Sequence, residues 1–315
     1  MSVDLTVSII NTNNRELLRN CLRSIFENTR RINLEVYVVD NACTDGSAEM
    51  VEAEFPQVRL IRNEQRLGFC ANHNQVLRLA QGRYSLILNE DTVILPTAFD
   101  CMVEFMDNHP DVGILGPMLL NNDGSFQASY ADFPTLFSEL LALTGLARAL
   151  NSYFPSYPLQ RSQEVCSADW VGGACLMIRR ETMEQIGVLD EVFKVYLEET
   201  DWCYRAKQMG WKVYYLPQAK VVHLGGQAWK QLDSVEEAEH QARRRLRLRK
   251  STLLFFRKHY GVLCELLLRL AILMTSLVKA GGWLCLFFLI RSRRDIARVE
   301  AYAHWKMAWV GGSWA

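Results

Sequence analysis

The chain has 315 residues, half of them apolar, and its 35 basic side chains balance 35 acidic ones to a formal net charge of zero. That is enough apolar chain to bury a full core, as one large domain or a domain with an appendage. The balance excludes the global field expected of a nucleic-acid binder or of a partner for a strongly acidic surface. Nine cysteines are scattered without a C-x-x-C pair, which fits reduced thiols in a cytoplasmic protein rather than a disulfide framework. The N-terminus opens on the strand-like alternation Val3, Leu5, Val7, so a secretory signal is not expected.

Strand and helix signals alternate from the start. Val3 to Ile10 reads as a strand, and Asn11-Thr12-Asn13-Asn14 as a turn before a helix with apolar positions Leu18, Cys21, Leu22, Ile25 and Phe26. Leu34 to Val39 is a second strand, and Asp45 or Ser47 can cap a short helix through Phe55. A strand at 58–61, a helix over about 71–80 and a strand at 84–88 follow. This order predicts an α/β fold, a mostly parallel sheet with helices on both faces. Pro96 stands where a helix to Met106 would start, and Val112 to Leu115 reads as a short strand. Residues 121–165 read as a variable insertion or acceptor-side loop. Asp169 to Ile178 reads as one strand containing a Gly pair, then helices near Glu181 and Glu198, and strands at 212–216 and 220–223.

The boundaries predict a catalytic domain over 1–228 and a helical tail over 229–315. In the tail, 236–258 reads as a charged helix containing the basic block Arg243-Arg244-Arg245-Leu246-Arg247-Leu248-Arg249-Lys250. Leu270 to Ile290 is almost wholly apolar, and 21 residues at about 1.5 Å each just cross a bilayer. Glu265, Arg269, Ser276 and Lys279 fall on one narrow stripe of that helix. The stripe, the flanking arginines and Trp305, Trp309 and Trp314 predict a segment lying in a membrane interface. A helix packed on the catalytic domain or in a homodimer interface is the other reading.

Two hydrophobic runs end abruptly in acids: Val38-Val39-Asp40 before Asn41 to Ser47, and Leu86-Ile87-Leu88 before Asn89-Glu90-Asp91-Thr92. Open α/β sheets bind ligands at the carboxyl ends of their strands. Two acid-tipped ends suggest a site for a polar ligand together with a divalent cation.

These motifs, with Gly68-Phe69, Asn72 and Asn74, then Gly172-Gly173-Ala174, Leu189-Asp190-Glu191, Glu198-Glu199-Thr200-Asp201-Trp202 and Val222-His223-Leu224-Gly225-Gly226, resemble inverting glycosyltransferase family 2. The ordered set covers roughly residues 3–228. It lies nearest the rhamnosyltransferase-like branch of bacterial surface polysaccharide synthesis. The resemblance implies a GT-A fold, a nucleotide-sugar donor and a divalent cation, Mg²⁺ or Mn²⁺. It implies an acceptor glycan linked to a polyprenyl diphosphate, and a place on the inner face of the cell membrane, peripheral or monotopic.

Residue by residue, the resemblance gives Asp40 to the nucleotide, although Asp40-Asn41 would also make a good Asx-turn. Thr12 and Asn13 face the same crevice and help hold the base. Gly68 lets backbone approach the donor, and Asn72 reaches the sugar or diphosphate. Asn89 stands where the family has the first acid of its D-x-D motif, and Asp91 is the metal ligand, with His223 as a second. The general base belongs to the acidic motif at 198–201, and the alignment puts Glu199 on its position with Glu in place of Asp. Glu198 and Asp201 remain alternatives, since acids favour any helix N-terminus by about 0.3–1 kcal/mol. Trp170, Gly172, Gly173 and Ala174 line the acceptor side. Two other functions stay open: a nucleotidyltransferase, disfavoured because Asn11 to Asn14 is no phosphate loop, and a catalytically inactive sugar-nucleotide-binding scaffold at the membrane.

Overall fold

The computed structural model describes residues 2–146, 163–225 and 234–312. The chain forms two compact units. One comprises Met1–Phe133, Tyr157–Lys194 and Glu198–Gly225, the other Pro134–Ser156, Val195–Leu197 and Gly226–Ala315. The expected boundary at 228 falls in 226–233, outside the described residues.

The first unit begins with β1 (Leu5–Asn11), α1 (Arg15–Asn28), β2 (Leu34–Asp40), α2 (Ser47–Glu54), β3 (Arg59–Arg62), α3 (Phe69–Leu77) and β4 (Tyr84–Asn89). The four strands are parallel in the order β3-β2-β1-β4. Leu5, Val7 and Ile9 of β1 are fully buried, as are Leu18, Cys21, Leu22 and Ile25 along one face of α1, so the two periodicities meet in one core. The register matters most for function. Asn11 lies opposite Asp40, and Ile10 opposite Asn89, which brings the ends of β1, β2 and β4 to one edge.

Beyond β4 come β5 (Thr92–Ile94), α4 (Ala98–Asn108), β6 (Val112–Leu120), β7 (Phe126–Gln127) and β8 (Tyr130–Ala131). Then follow, in this unit, β9 (Cys166–Ser167), β10 (Trp170–Val171) and β11 (Cys175–Arg179). The complete path is β3-β2-β1-β4-β11-β6-β12-β5, where β12 is Lys212–His223; β7 adds to β6, β9 to β12, and β8 pairs with β10 separately. The sheet is parallel as far as β4 and mixed afterwards, because β11 runs antiparallel to both β4 and β6.

Four expected strands differ in extent. The run 169–178 is two strands, split at Gly172-Gly173, with β10 leaving the large sheet and β11 entering it. A β-carbon on Gly116 would stand 2.6 Å from Val171 Cβ, so β10 packs on β6 through a gap that only glycine leaves. β6 continues past Gly116-Pro117 to Leu120, and the two strands expected at 212–223 are one, with a register shift between Leu216 and Lys220. Proline ends neither strand, because at a register shift it needs no ladder donor.

The second unit is helical. Its elements are α5 (Leu136–Thr144), a 26-residue helix Ser234–His259, a 29-residue helix Gly261–Leu289 and a final helix Arg294–Gly312. The polar stripe at 265–279 is turned inward, as in the reading of a packed helix. Glu265 and Ser276 are buried; Arg269 pairs with Glu265 at 2.7 Å and donates to the Val310 carbonyl at 2.8 Å. Lys279 donates to the Leu143 carbonyl at 2.7 Å. The reason is satisfaction of charge: these groups find partners on neighbouring helices, and the apolar side is left outside. Leu263, Val278 and Leu289 are 71%, 74% and 78% exposed. Gly311 lets the last helix cross closely, since a β-carbon there would lie 2.7 Å from the Arg269 carbonyl oxygen.

Candidate active site

The tip of β2 does two things. Asp40 is buried, and its Oδ1 accepts from the Cys43 N–H at 2.7 Å, the Asx-type turn. Asp40 also lines a cavity of about 150 Å³ with Cys43, Ser47, Arg62 and Asn63. Thr12 Oγ1 accepts from Asn41, while Asn13, with φ 57°, accepts from the Thr44 N–H at 2.8 Å. Thr12 and Asn13 therefore knit the β1 and β2 loops together. Asp45 accepts from the Arg15 and Ser47 backbone N–H groups, an internal anchor for the same loops.

The loop before α3 is held differently from the expectation. Asn72 is buried, accepts from Asn63 Nδ2 at 2.6 Å and donates to the Leu67 carbonyl at 3.1 Å. Its amide is thus engaged inside the loop by these two bonds. Gly68 has an ordinary extended backbone, and a β-carbon there would meet only the Lys194 carbonyl at 3.9 Å. Asn74, also buried, bonds the Leu189 N–H and carbonyl and the Glu191 carboxylate.

At the tip of β4, Asp91 Oδ1 lies 3.3 Å from His223 Nε2 at the end of β12. The sheet brings them together: His223 pairs with Thr92, and the Leu224 N–H donates to the Asp91 carbonyl at 2.9 Å. His223 Nδ1 is 2.6 Å from Gln127 Oε1, whose own amide nitrogen donates to Asn121 Oδ1 at 3.0 Å. This orients Gln127 as acceptor, puts the imidazole proton on Nδ1 and leaves Nε2 with its lone pair. Asn89 Nδ2 is 3.2 Å from the same nitrogen. A carboxylate and an imidazole lone pair at this spacing match two neighbouring corners of an octahedral site of about 2.1 Å radius. The pair therefore fits a divalent cation. Among the described residues no cluster of three His, Cys, Asp or Glu side chains surrounds them. Glu90 points away and accepts from Asn14 Nδ2 at 2.8 Å.

The acidic motif opens the helix Glu198–Gln208, and its three acids have separate fates. Asp201 is fully buried and its Oδ2 pairs with Arg205 Nε at 2.8 Å. Arg205 also donates to the Ile186 and Val188 carbonyls. Asp201 is thus tied into a structural network with Arg205 and the carbonyls that Arg205 binds. Glu198 is buried, with Oε2 unpartnered. Glu199 is half-buried and rests on Gly173, whose β-carbon would stand 3.6–3.9 Å from its Cβ, Cγ and carboxyl carbon. Burial pushes both carboxyls up, Glu198 further because the Glu199 charge adjoins it.

The acceptor-side residues meet this acid. Gly172 N–H donates to the Ser129 carbonyl at 2.8 Å, and Ala174 accepts from the Asn89 N–H at 3.0 Å. Two adjacent residues, Gly173 and Ala174, thus join Glu199 to the Asn89-Glu90-Asp91 turn. Trp170 Nε1 donates to the Asp132 carbonyl at 3.0 Å. Arg179 and Arg180 bond carbonyls at 82, 106, 109 and 112 and serve the frame.

The profile of glycosyl transferase family 2 matches residues 6–187. The chain belongs to that family. An N-acetylglucosaminyl-diphospho-decaprenol L-rhamnosyltransferase of Mycobacterium tuberculosis is 27% identical over 203 residues, 60% of this chain and 66% of that protein. The chain thus spans just under two thirds of that relative. A dTDP-rhamnosyl transferase, RfbF of Shigella flexneri, is 24% identical over 271 residues, 82% of each chain. Among solved structures, the mannosyltransferase PcManGT of Pyrobaculum calidifontis in complex with GDP-Man and Mn²⁺ superposes with TM-score 0.55 at 16% identity, over 98% of this chain and 88% of that one. GalNAc-T7 with UDP, GalNAc and Mn²⁺ gives 0.55 at 17%, over 70% and 44%. The likeness to both is one of fold.

In this member of family 2, the candidate site also includes residues that carried no signal in the sequence. Gln127, which sets the His223 tautomer, lies in the irregular stretch after β6. Gly225 keeps room for the imidazole, since a β-carbon there would come within 3.1 Å of His223 Cε1; the Gly225-Gly226 pair was the available hint.

Proposed function

We infer that the chain is an inverting, metal-dependent glycosyltransferase moving a sugar from a nucleotide donor to a glycan acceptor carried on a polyprenyl diphosphate. Rhamnose from a dTDP donor is the favoured substrate, supported by the two rhamnosyl transferase relatives named above. The observation that carries the reading is the Glu199 carboxyl resting on Gly173, one residue from the backbone bond that anchors the Asp91 turn.

Inversion takes a single displacement, in which a base on the acceptor side removes the hydroxyl proton as the leaving group departs from the opposite face. Glu199 supplies that base, and burial raises its proton affinity toward the working range. Asp91 and His223 would hold the divalent cation, which as a Lewis acid neutralises the departing nucleoside diphosphate. Asp40 accepts from the nucleoside in the cavity at the tip of β2. Gly172 and Gly173 leave room for the acceptor ring against backbone.

The helical unit supports a monotopic place on the inner face of the membrane. Its 29-residue apolar helix spans about 43 Å along its axis and exposes hydrocarbon while its ions are paired inside. Donor turnover with Mn²⁺ and with chelator, in wild type and Asp91→Ala, tests the transferase reading. Loss of turnover in chelator and in the variant is expected; unchanged donor binding and turnover in both would overturn it.

A further inference from the structure

The cavity at the tip of β2 is built for a narrow class of occupant. Its volume is about 150 Å³, and a cavity of that size holds a single six-membered ring. Two acids, Asp40 and Glu49, stand in its lining against one cation, Arg62. Arg62 is itself shared between Glu52 at 2.8 Å and Glu49 at 3.4 Å. Such a wall repels a diphosphate, so it suits a neutral part of the donor. The apolar side chains of the lining are Ala42, Cys43 and Ala48, all small.

Its polar groups complete a pattern. Asp40 is 6% exposed, and its Oδ1 is taken by the Cys43 N–H at 2.7 Å. Among the described residues its Oδ2 accepts from no donor, which leaves that oxygen for a ligand N–H. At the start of α2, the Ser47 N–H donates to Asp45 Oδ1 and the Met50 N–H to the Gly46 carbonyl. Between them, the N–H groups of Ala48 and Glu49 have no acceptor among the described residues, as in the first turn of any helix. Asn63 gives shape only, since its Nδ2 donates to Asn72 Oδ1 at 2.6 Å and its Oδ1 accepts from Gln75 at 3.2 Å. The Cys43 thiol is fixed too: it accepts from Asn11 Nδ2 and the Asn13 N–H and donates to the Asn11 carbonyl. An open acceptor with open donors in the same small cavity complements an imide, in which an N–H sits between two carbonyls.

We propose that this cavity selects the base of the donor and that the base is thymine. Asp40 Oδ2 accepts the N3–H, the Ala48 and Glu49 N–H groups donate to one ring carbonyl, and Ala42, Cys43 and Ala48 enclose the 5-methyl group. A purine is refused by size, because its second ring exceeds the space. Cytosine is refused by polarity, because its N3 turns a lone pair to the oxygen that needs a proton. Uracil fits but leaves the apolar part of the lining unfilled, and one methyl in an apolar pocket is worth roughly tenfold or more. Base choice of this kind rests on the transferase reading and deepens it, by naming the residues that set which nucleotide is accepted.

The test is titration calorimetry of dTDP, UDP, CDP and GDP against the full chain in detergent with Mn²⁺. Wild type is expected to bind dTDP roughly tenfold more tightly than UDP, with CDP and GDP at least roughly a hundredfold weaker than dTDP. Ala48→Val fills the methyl space and is expected to weaken dTDP while sparing UDP, with melting temperature as the check on folding. Asp40→Asn keeps the Oδ1 bond to Cys43 and puts a donor where Oδ2 stood, so it is expected to lose dTDP and gain CDP. Equal affinity for dTDP and UDP, GDP as tight as dTDP, or an unchanged order in Asp40→Asn would each overturn the thymine pocket. Turnover of sugar nucleotides with Mn²⁺ is measured separately on wild type. Turnover without preference for the base removes the thymine pocket alone, whereas neither nucleotide binding nor turnover would overturn the transferase reading with it.

Discussion

Glu199 stands with its carboxyl carbon 3.9 Å from where a β-carbon on Gly173 would lie. The contact is an ordinary van der Waals distance, so alanine fits there without strain in the fold. Gly173→Ala is expected to keep the melting temperature of the wild type and raise KM for the acceptor several-fold, with KM for the donor unchanged. Gly116→Ala is the contrast: its β-carbon would drive into Val171, and overpacking of this kind costs about 1–3 kcal/mol. A lowered melting temperature in the second variant alone checks the distinction.

Replacement of the base separates chemistry from binding. Glu199→Gln keeps the shape and removes the proton acceptor, and transfer is expected to fall by roughly 10²- to 10⁴-fold, with donor affinity retained. Glu199→Asp is expected to keep partial activity. Steady-state kinetics on both variants decides it; full activity in Glu199→Gln moves the base elsewhere.

The raised carboxyls carry two pH dependences of definite sign. A base must be ionised to act, so the acid limb of kcat/KM is expected well above the ordinary Glu value of 4.5. For stability, the folded state holds these protons more tightly than the unfolded chain, so stability falls as pH rises from about 4.5 through the raised values. Glu198→Gln removes part of that loss. Its melting temperature is expected to exceed that of wild type at pH 8 and to match it at pH 4, in thermal melts at both pH values.

Asp201 is a prediction about structure. Asp201→Ala leaves Arg205 among carbonyls without its carboxylate, and breaking a buried pair from one side costs about 3–5 kcal/mol. Lower stability is expected, with the pH profile of any surviving activity unshifted. A shifted acid limb would make Asp201 part of the proton transfer.

Gln127 holds the His223 tautomer at 2.6 Å. Partners of metal-ligating histidines typically contribute 10- to 100-fold in affinity, and Gln127→Leu is expected to weaken Mn²⁺ by about that factor. Manganese titration of donor turnover measures it, and an unchanged midpoint would separate His223 from the cation.

The apolar exposure of the helix Gly261–Leu289 predicts where the chain goes in a flotation assay. Leu263→Ser/Val278→Ser/Leu289→Ser is expected to leave the vesicle fraction. Substitution of Gly281 and Gly282 by alanine is expected to change nothing, since nothing lies within 4 Å of either.

Much of this was legible because strand ends announce themselves. Asp40, Asp91 and His223 each close an apolar run; parallel register brings the ends of β2 and β4 to one edge, and the antiparallel pairing of β12 with β5 sets His223 beside Asp91. Side-chain partners were not legible. Asn72 and Asp201 carry groups that serve a ligand as readily as a neighbour, and only burial and a hydrogen-bond partner separate the two uses. Gln127 was hidden for the opposite reason, since nothing about a glutamine in an irregular stretch marks it as the companion of a histidine 96 residues away. The tail misled in a third way. Its polar stripe has the same helical spacing whether it faces water or a neighbouring helix, and the direction is set by residues as remote as Val310 and Leu143.

Asn74 has a mechanical consequence. Through three bonds to Leu189 and Glu191 it rivets α3, whose N-terminus borders the donor crevice, to the segment that leads toward the acidic motif, and Cys70 adds a fourth to Phe193. A donor that shifts the first turn of α3 therefore pulls on the strand of chain feeding the base. On the proposed transferase reading, loading one substrate would set the stage for the other along these bonds, and a compulsory binding order is the kinetic form such a linkage takes.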